Sequence, residues 1–219
     1  MMTQIIDVTN GSPQGRGERR KQHTRRRLLD AAALTYADVG IEGATISAIT
    51  ERGDVGLGTF YLHFEDKETI ATAVCEIVFN RLVGDENRAL DDVRSVGGEP
   101  DPLAIFTRVI CGQTAENAGL LCALLRWTGP RPPAVEGSGG GSLAEVSPLR
   151  RSLLPHLTAR FQEGVESGRY RVEEPVLAAQ AVLGVYVSCI PAWVGEGRTD
   201  WDVLGAFAQR SVVAMFRRS

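Results

Sequence analysis

The sequence has few cysteines and no clustered metal ligands, and both absences narrow the classes of protein that it can encode. Its four cysteines stand singly, with no CxxC pair and no Cys/His cluster at metal-ligand spacing: Cys75, Cys111, Cys122 and Cys189. We expect reduced, buried thiols, because free cysteine behaves as a small hydrophobic residue in protein cores. No metal or other cofactor is expected, and redox sensing is the minor alternative.

Catalytic motifs are missing as well. The only histidines are His23, His63 and His156, and none has a glutamate three residues before it. The inward-facing Glu-x-x-His pairs of a helical metalloenzyme are therefore absent. GxSxG, P-loop and HExxH motifs do not occur either. We predict that the chain has no catalytic residues and is not an enzyme.

Targeting and membrane signals are the third absence. The N-terminal stretch MMTQIIDVTNGSPQG has no apolar core behind a basic start. We also find no apolar run of about 18 residues, the length that spans a bilayer. Hydrophobic residues make up 43% and charged residues 23% of the chain, as in ordinary globular proteins. These features predict a cytoplasmic protein that does not interact with a membrane.

Charge is present, but it is unevenly distributed. The formal net charge is only −3. One short stretch nevertheless carries seven basic residues against the single acid Glu18: Arg16, Arg19, Arg20, Lys21, Arg25, Arg26 and Arg27. That stretch therefore carries +6 and the rest of the chain −9. Such an asymmetry indicates a local contact with a polyanion.

Apolar residues recur at helical spacing in the N-terminal third. They predict a first helix over about residues 24–39 that ends at Gly40. Thr45 is placed to cap a second helix, which Gly53 and Asp54 end after about two turns. A third short helix is predicted over 57–64. Asp66 is placed to cap a fourth helix over 67–82.

The remaining chain also shows a helical pattern. Helices are predicted over about 102–127, 148–167, 174–194 and 199–217, with doubt about continuity at Gly112 and Gly119. The segment 128–147 contains GPRPP and EGSGGGS, and we expect a flexible loop there. Residues 1–18 are expected to be a flexible tail. No series of alternating strands occurs, so the fold class is all-α.

The N-terminal pattern resembles a known family. The stretch RRRLLDAAALTYADVGIEGATISAIT, then VGLGTFYLHF over 55–64 and DKE over 66–68, resembles the TetR family of transcriptional regulators. The resemblance implies a three-helix helix-turn-helix DNA-binding domain over 19–66, followed by a helical effector-binding and dimerisation domain over 67–219. It further implies a ligand-responsive repressor that binds double-stranded, pseudo-palindromic operator DNA as a homodimer and is released by a small molecule.

The resemblance also assigns roles to individual residues. Thr45 would cap the second helix at a phosphate, Thr59, Tyr61 and His63 would face DNA from the recognition helix, and Gly58 would let that helix approach the DNA backbone. A basic side chain would touch phosphate from the start of the fourth helix. With the basic stretch, the predicted DNA-binding residues are Arg25, Thr45, Gly56, Leu57, Gly58, Thr59, Tyr61, His63 and Lys67.

The turn departs from the family pattern. The family usually has Ala-Gly-Val-Ser followed by a basic or polar residue, whereas residues 53–57 here read GDVGL. Asp54 can adopt the left-handed backbone that the turn requires. Gly56, however, has no capping hydroxyl, and Leu57 offers only an apolar contact, such as one to a thymine methyl group. The alternative function is therefore a related protein with weakened DNA readout that acts through a protein partner.

The last two predicted helices are apolar around most of their circumference. Residues 174–194 carry small side chains at three- and four-residue spacing, and 199–217 carry larger apolar ones. We predict a homodimer through these helices, with an intramolecular core as the competing explanation. The resemblance further implies an effector pocket among the middle helices, for which the candidates are Phe106, Leu124, Trp127 and Trp193. For each of them, plain core is the alternative.

Overall fold

The computed structural model describes residues 15–129, 147–210 and 216, and every regular element within them is an α-helix. In chain order the helices are α1 (Arg16–Gly43), α2 (Ile46–Arg52), α3 (Leu57–Tyr61), α4 (Lys67–Ser95), α5 (Pro102–Arg126), α6 (Pro148–Glu166), α7 (Pro175–Gly195) and α8 (Trp201–Ala208). The all-α prediction is confirmed. Most of the expected loop 128–147 and of the expected tail 1–18 lies outside the described residues.

Helix α1 begins earlier than predicted. It starts at Arg16 instead of residue 24, so residues 16–18 belong to the helix and not to a tail. The additional residues, RGERRKQH, carry no apolar stripe, but arginine, lysine, glutamine and glutamate favour helix, and Glu18 suits the first turn. The helical path breaks at Gly40, which has φ 73° and ψ 171°, and one further turn leads to Gly43.

Two other helices differ from their predicted form. Helix α4 continues to Ser95 instead of ending near residue 82, because its buried stripe extends through Glu86 and Leu90. In α5 the non-helical residue is Asn117, with φ −144° and ψ 51°, and not one of the two suspected glycines. Gly119 has a different role, because a Cβ there would lie 2.6 Å from the carbonyl oxygen of Ala37. Helices α1 and α5 can therefore pack backbone against backbone.

Helix α5 organises the core. It packs against α1, α4, α6, α7 and α8. The N-terminal helices, which we call the head (α1–α3), therefore rest directly on the body (α4–α8). The largest fully buried side chains come from both parts and include Tyr36, Phe60, Phe106, Phe161 and Tyr186.

A buried charged group joins α4 to α6. Glu86 is completely buried, and its carboxylate accepts hydrogen bonds from Arg160 Nε at 2.9 Å and contacts His156 Nε2. Arg160 also donates to Asn87 at 2.8 Å. A buried carboxylate requires such partners, because desolvation of an unpaired charge is costly.

Helix α7 corrects one statement made from the sequence. Its 21 residues include no charged side chain, and it is long and apolar enough to cross a bilayer by length and composition. The sequence-based conclusion that no such run exists is therefore wrong. Only 33% of its most apolar window is buried in the single chain. Length and composition do not distinguish a membrane span from a core or interface helix.

The cysteines only partly match their prediction. All four are free thiols; Cys75 and Cys111 are buried, whereas Cys122 and Cys189 are half-buried. Burial raises the pKa of Cys75 to about 12 and that of Cys111 to about 11, which keeps these two protonated near neutral pH.

We predict that Gly164→Ala destabilises the protein. A Cβ at Gly164 would lie 1.9 Å from the ring of Tyr170, whose hydroxyl donates to Asp101 at 2.6 Å. The ring cannot move without losing that bond, so the free energy of unfolding should fall by about 1–3 kcal/mol. Gly84→Ala is the control, because nothing lies within 4 Å of its Cβ. Equal stability of the two variants in urea denaturation would refute the packing argument.

Candidate DNA-binding site

Helices α2 and α3 are joined by a tight turn. The Thr45 hydroxyl accepts a hydrogen bond from Ala48 N at 3.1 Å, which confirms the predicted cap of α2. Gly53 N donates to Ile49 O at 2.9 Å and Val55 N to Thr50 O at 2.9 Å. Asp54 has φ 48°, the left-handed backbone that the sequence predicted for it. The turn thus satisfies the end of α2 and directs the chain into α3.

Arg27 holds this turn from α1. Its Nη2 donates to the carbonyl oxygen of Asp54 at 2.7 Å and to the carboxylate at 2.8 Å. A second ion pair links the end of α2 to α1, between Arg52 and Asp38 at 2.5 Å. From the sequence, Arg27 is expected only as a member of the basic stretch. The sequence signal that could have predicted this contact is an aspartate at a left-handed position that faces a basic helix.

Helix α3 presents a mainly apolar outer face. It spans Leu57–Tyr61, and residues 62 and 63 continue as a turn, so it is shorter than the predicted 57–64. Phe60 is fully buried, whereas the exposed fractions of Leu57 and Tyr61 are 51% and 56%. Gly58 is also exposed, and nothing lies within 4 Å of a Cβ placed there. Gly56 is the N-cap residue of α3. It provides no side-chain cap, as expected for a glycine.

The basic stretch is helical and only partly free. Arg16, Arg19, Arg20 and Lys21 are exposed on the first turns of α1. The next three arginines are half-buried and engaged within the head. Arg25 lies 4.4 Å from the centre of the Phe64 ring, Arg26 lies 3.9 Å from Asp30, and Arg27 holds the turn. The exposed positive charge is therefore concentrated on the beginning of α1.

His63 lies in a positive environment beside that stretch. It is half-buried, and its pKa is lowered, first by desolvation and then by the charges of Arg25 and Lys21. The imidazole is therefore neutral near pH 7. Two cations close to a neutral, hydrogen-bonding side chain form a surface suited to an anion such as phosphate.

Lys67 has a structural role that the sequence did not indicate. Its Nζ donates to the carbonyl oxygens of Glu42 at 3.3 Å and Ala44 at 3.2 Å. These carbonyls lie at the end of α1, where helical acceptors lack internal partners. Lys67 thus ties the start of α4 to the connection between α1 and α2. Thr59, another predicted contact residue, is half-buried on α3.

The four residues predicted for an effector pocket lie in different surroundings. Phe106 packs against Tyr186 with ring centres 5.9 Å apart, and Leu124 is fully buried. Trp193 is covered by Arg198 at 3.4 Å. Trp127 instead lines a cleft between α1 and α5 that also includes Val194. Phe106 and Leu124 are core residues in this structure, and a role for any of the four in ligand binding stays a prediction.

Comparisons with known proteins agree with this geometry. The family model described as "Bacterial regulatory proteins, tetR family" matches residues 28–74. The chain is 30% identical over 187 residues to the HTH-type transcriptional repressor KstR of Mycolicibacterium smegmatis, a match that covers 85% of this chain and 84% of that protein. The head and most of the body are therefore shared with a transcriptional repressor.

Solved structures share the fold. The fatty acid degradation regulator FadR of Bacillus halodurans superposes with a TM-score of 0.70 at 21% identity, covering 92% of this chain and 96% of that one. FadR of Bacillus subtilis, solved in complex with stearoyl-CoA, gives a TM-score of 0.64 at 20% identity, covering 85% and 96%. At these identities the likeness concerns the fold alone.

The turn generates a prediction about backbone strain. Asp54→Ala and Asp54→Gly both lose the carboxylate bond to Arg27 and both keep the carbonyl bond. Alanine is disfavoured in the left-handed region by about 1–2 kcal/mol, whereas glycine is not. We expect the alanine variant to have the lower free energy of unfolding. Thermal and urea denaturation measure the difference, and an equal or larger loss with glycine would contradict a left-handed turn.

Proposed function

The chain belongs to the TetR family of transcriptional regulators, and from this premise we propose that it is a repressor that binds operator DNA as a homodimer and is released by a small molecule. The observation that carries the proposal is the surface formed by the exposed face of α3 and the beginning of α1. A short second helix with an exposed outer face, placed beside positive charge, suits insertion into a major groove.

The proposed DNA contacts divide by chemistry. Thr45 at the start of α2 and the exposed arginines of α1 suit phosphate, whereas Tyr61 and His63 offer groups for base edges or sugar. Leu57, beside the open position of Gly58, suits a thymine methyl group. Gly56 and Gly58 let the backbone of α3 come near the groove, and Thr59 faces DNA from the same helix. Lys67 and Arg25 contribute positive potential even though both already have partners within the head.

Dimerisation is proposed through α7 and α8. One face of α7 is buried around Tyr186 and Ile190. The opposite face is apolar, uncharged and open along Leu177, Ala181, Gly184 and Ser188. On α8, Val203 and Phe207 are also about half exposed. Removing this surface from water favours association, and a two-fold axis would present two copies of α3 to a pseudo-palindrome. A dimer accounts for the apolar character of α7, so we propose a cytoplasmic protein without a membrane partner.

Release by a small molecule requires a difference in affinity between two conformations. A ligand shifts the protein away from DNA only if it binds the non-binding conformation more tightly. The related fold of FadR, solved with stearoyl-CoA, supports a ligand-binding body here.

A second candidate function is supported by one observation. Leu57, Tyr61 and Leu62 are exposed side by side, and Leu62 has an exposed fraction of 75%. An apolar surface of this kind also suits a protein partner. In this alternative the head would bind DNA weakly and act through that partner. DNA binding by the isolated protein separates the two candidates.

The proposal predicts specific, salt-sensitive DNA binding. Fragments selected from genomic DNA should shift in electrophoresis, and the affinity should fall steeply as salt rises because phosphate contacts release counterions. Tyr61→Ala should weaken binding at least about fivefold, as expected for a lost groove contact. Val96→Ala, which shortens another exposed apolar side chain, should bind like the parent. If no fragment binds even at low salt, the partner hypothesis replaces this one.

His63 gives the binding a predicted pH dependence. In the free protein its pKa is lowered by burial and by Arg25 and Lys21. A nearby phosphate would offset those charges and raise the pKa, so DNA binding would be coupled to proton uptake. Affinity should therefore increase as pH falls from about 7.5 to 5.5. His63→Gln should abolish that increase while the fold, followed by circular dichroism, is retained. An unchanged pH profile would remove His63 from the interface.

The dimer is tested by placing a charge on the open face of α7. Ala181→Glu should shift the protein from dimer to monomer in sedimentation velocity, because a buried unpaired carboxylate is costly at an interface. Gln162→Glu adds a carboxylate at an exposed position of α6 and should leave the dimer intact. A parent protein that sediments as a monomer at micromolar concentration would contradict the proposal.

A further inference from the structure

A cleft of about 500 Å³ separates the end of α1 from the end of α5. We call it the junction cleft and define it by Val39, Gly40 and Ile41 on one wall and Cys122, Arg126 and Trp127 on the other. It lies where the head meets the body. Of the four residues predicted for an effector pocket, Trp127 lines this cleft, whereas Phe106, Leu124 and Trp193 do not.

The junction cleft exists because two helices in close contact cease to pack. Helices α1 and α5 approach backbone to backbone at Ala37 and Gly119, where a Cβ would lie 2.6 Å from the carbonyl oxygen. Three residues beyond Ala37, the path of α1 breaks at Gly40 with φ 73°. Beyond Gly119, helix α5 continues to Arg126. The tight contact thus closes one end of the cleft, and the break at Gly40 leaves the other end open.

The walls of the junction cleft combine apolar surface with two charged residues, Glu42 from α1 and Arg126 from α5. Val39 is exposed to 56%, although it is apolar and belongs to a helix. The largely buried Trp127 lines the cleft from the other side. Arg126 is exposed, and its guanidinium forms no ion pair with any residue in the described parts of the chain. Glu42, an exposed acid on the α1 wall, also lines the cleft. Mainly apolar walls with a few fixed polar or charged groups are typical of sites for small amphipathic ligands.

We propose that the junction cleft binds an amphipathic organic anion, with the apolar body of the ligand between Val39 and Trp127 and its carboxylate or sulfonate on Arg126. The guanidinium can hold such a group through two parallel hydrogen bonds. An aromatic or acyl body of modest size fits the volume.

Occupancy of the junction cleft would act on the DNA-binding head. The wall that includes Gly40 and Ile41 leads through Glu42 directly to Thr45, the cap of α2. The carbonyl of Glu42 is also one of the two acceptors of Lys67. A ligand between this wall and α5 would therefore bias the position of α2 relative to the body. This step rests on the proposed function, whereas binding at the junction cleft does not.

Cys122 makes the site directly testable. Its half-buried thiol lines the junction cleft, and Cys189 on α7 is a second half-buried thiol away from it. Burial raises the pKa of Cys75 and of Cys111, so those two react slowly. The probe is 1-anilinonaphthalene-8-sulfonate, an aromatic anion of the proposed chemistry. Alkylation of each thiol by N-ethylmaleimide is followed by peptide mass spectrometry with and without the probe.

We expect the probe to slow alkylation of Cys122 at least about fivefold and to leave the rate at Cys189 unchanged. Arg126→Gln should raise the probe concentration needed for half-protection about fivefold, as expected for loss of one charge-assisted contact. Arg108→Gln, on the same helix and exposed, should have no effect. If the probe does not slow alkylation of Cys122, or if the two arginine variants have equal effects, the proposed binding site is wrong.

The regulatory step has its own readout. At a probe concentration that protects Cys122, binding of the selected DNA fragment should weaken in the parent protein and much less in Arg126→Gln. Protection of Cys122 with unchanged DNA affinity would overturn the regulatory step and leave the binding site standing. A protein that binds no DNA fragment would instead overturn the proposed function, since the alkylation result does not depend on DNA.

Discussion

The packing of α1 is the constraint on which the rest of the structure depends. This helix buries Leu28 and Tyr36 completely, packs against α2 and, through Arg27, holds the turn before α3, and it also lies against α4 and α5. The backbone contact at Gly119 leaves no room for a side chain between α1 and α5. The head is therefore not an independent unit joined by a linker. Its orientation is determined by the body, which is the physical requirement for a ligand in the body to affect DNA binding.

Local features of this architecture could be predicted from the sequence, and long-range ones could not. The caps at Thr45 and Asp66 and the left-handed Asp54 depend on neighbours a few residues away. The extension of α4 depends on Glu86, a polar residue that is buried only because His156 and Arg160 lie beside it in space. Long-range contacts also limit what the sequence can predict about the DNA-binding site, because partners in the folded chain determine which basic side chains are free.

The head and the junction cleft combine into one account of regulation. Arg27, a member of the basic stretch, and Lys67, a predicted DNA contact, are engaged in holding the turn at Asp54 and the end of α1. These bonds tie the parts of the head together, and in the proposed function readout falls to exposed groups such as Tyr61. A head held together in this way, with its attachment beside an open cleft, can be moved as a unit. Small changes at the cleft would then be transmitted to both recognition helices of a dimer.

The most direct test of the account is methylation protection of guanine N7 on a selected DNA fragment, because this atom lies in the major groove. The account predicts two protected clusters related by two-fold symmetry and separated by a whole number of helical turns, about 10 base pairs each. Tyr61→Ala should lose protection within both clusters. A bound complex without protected guanines in either half-site, although guanines are present there, would contradict insertion of α3 into the major groove.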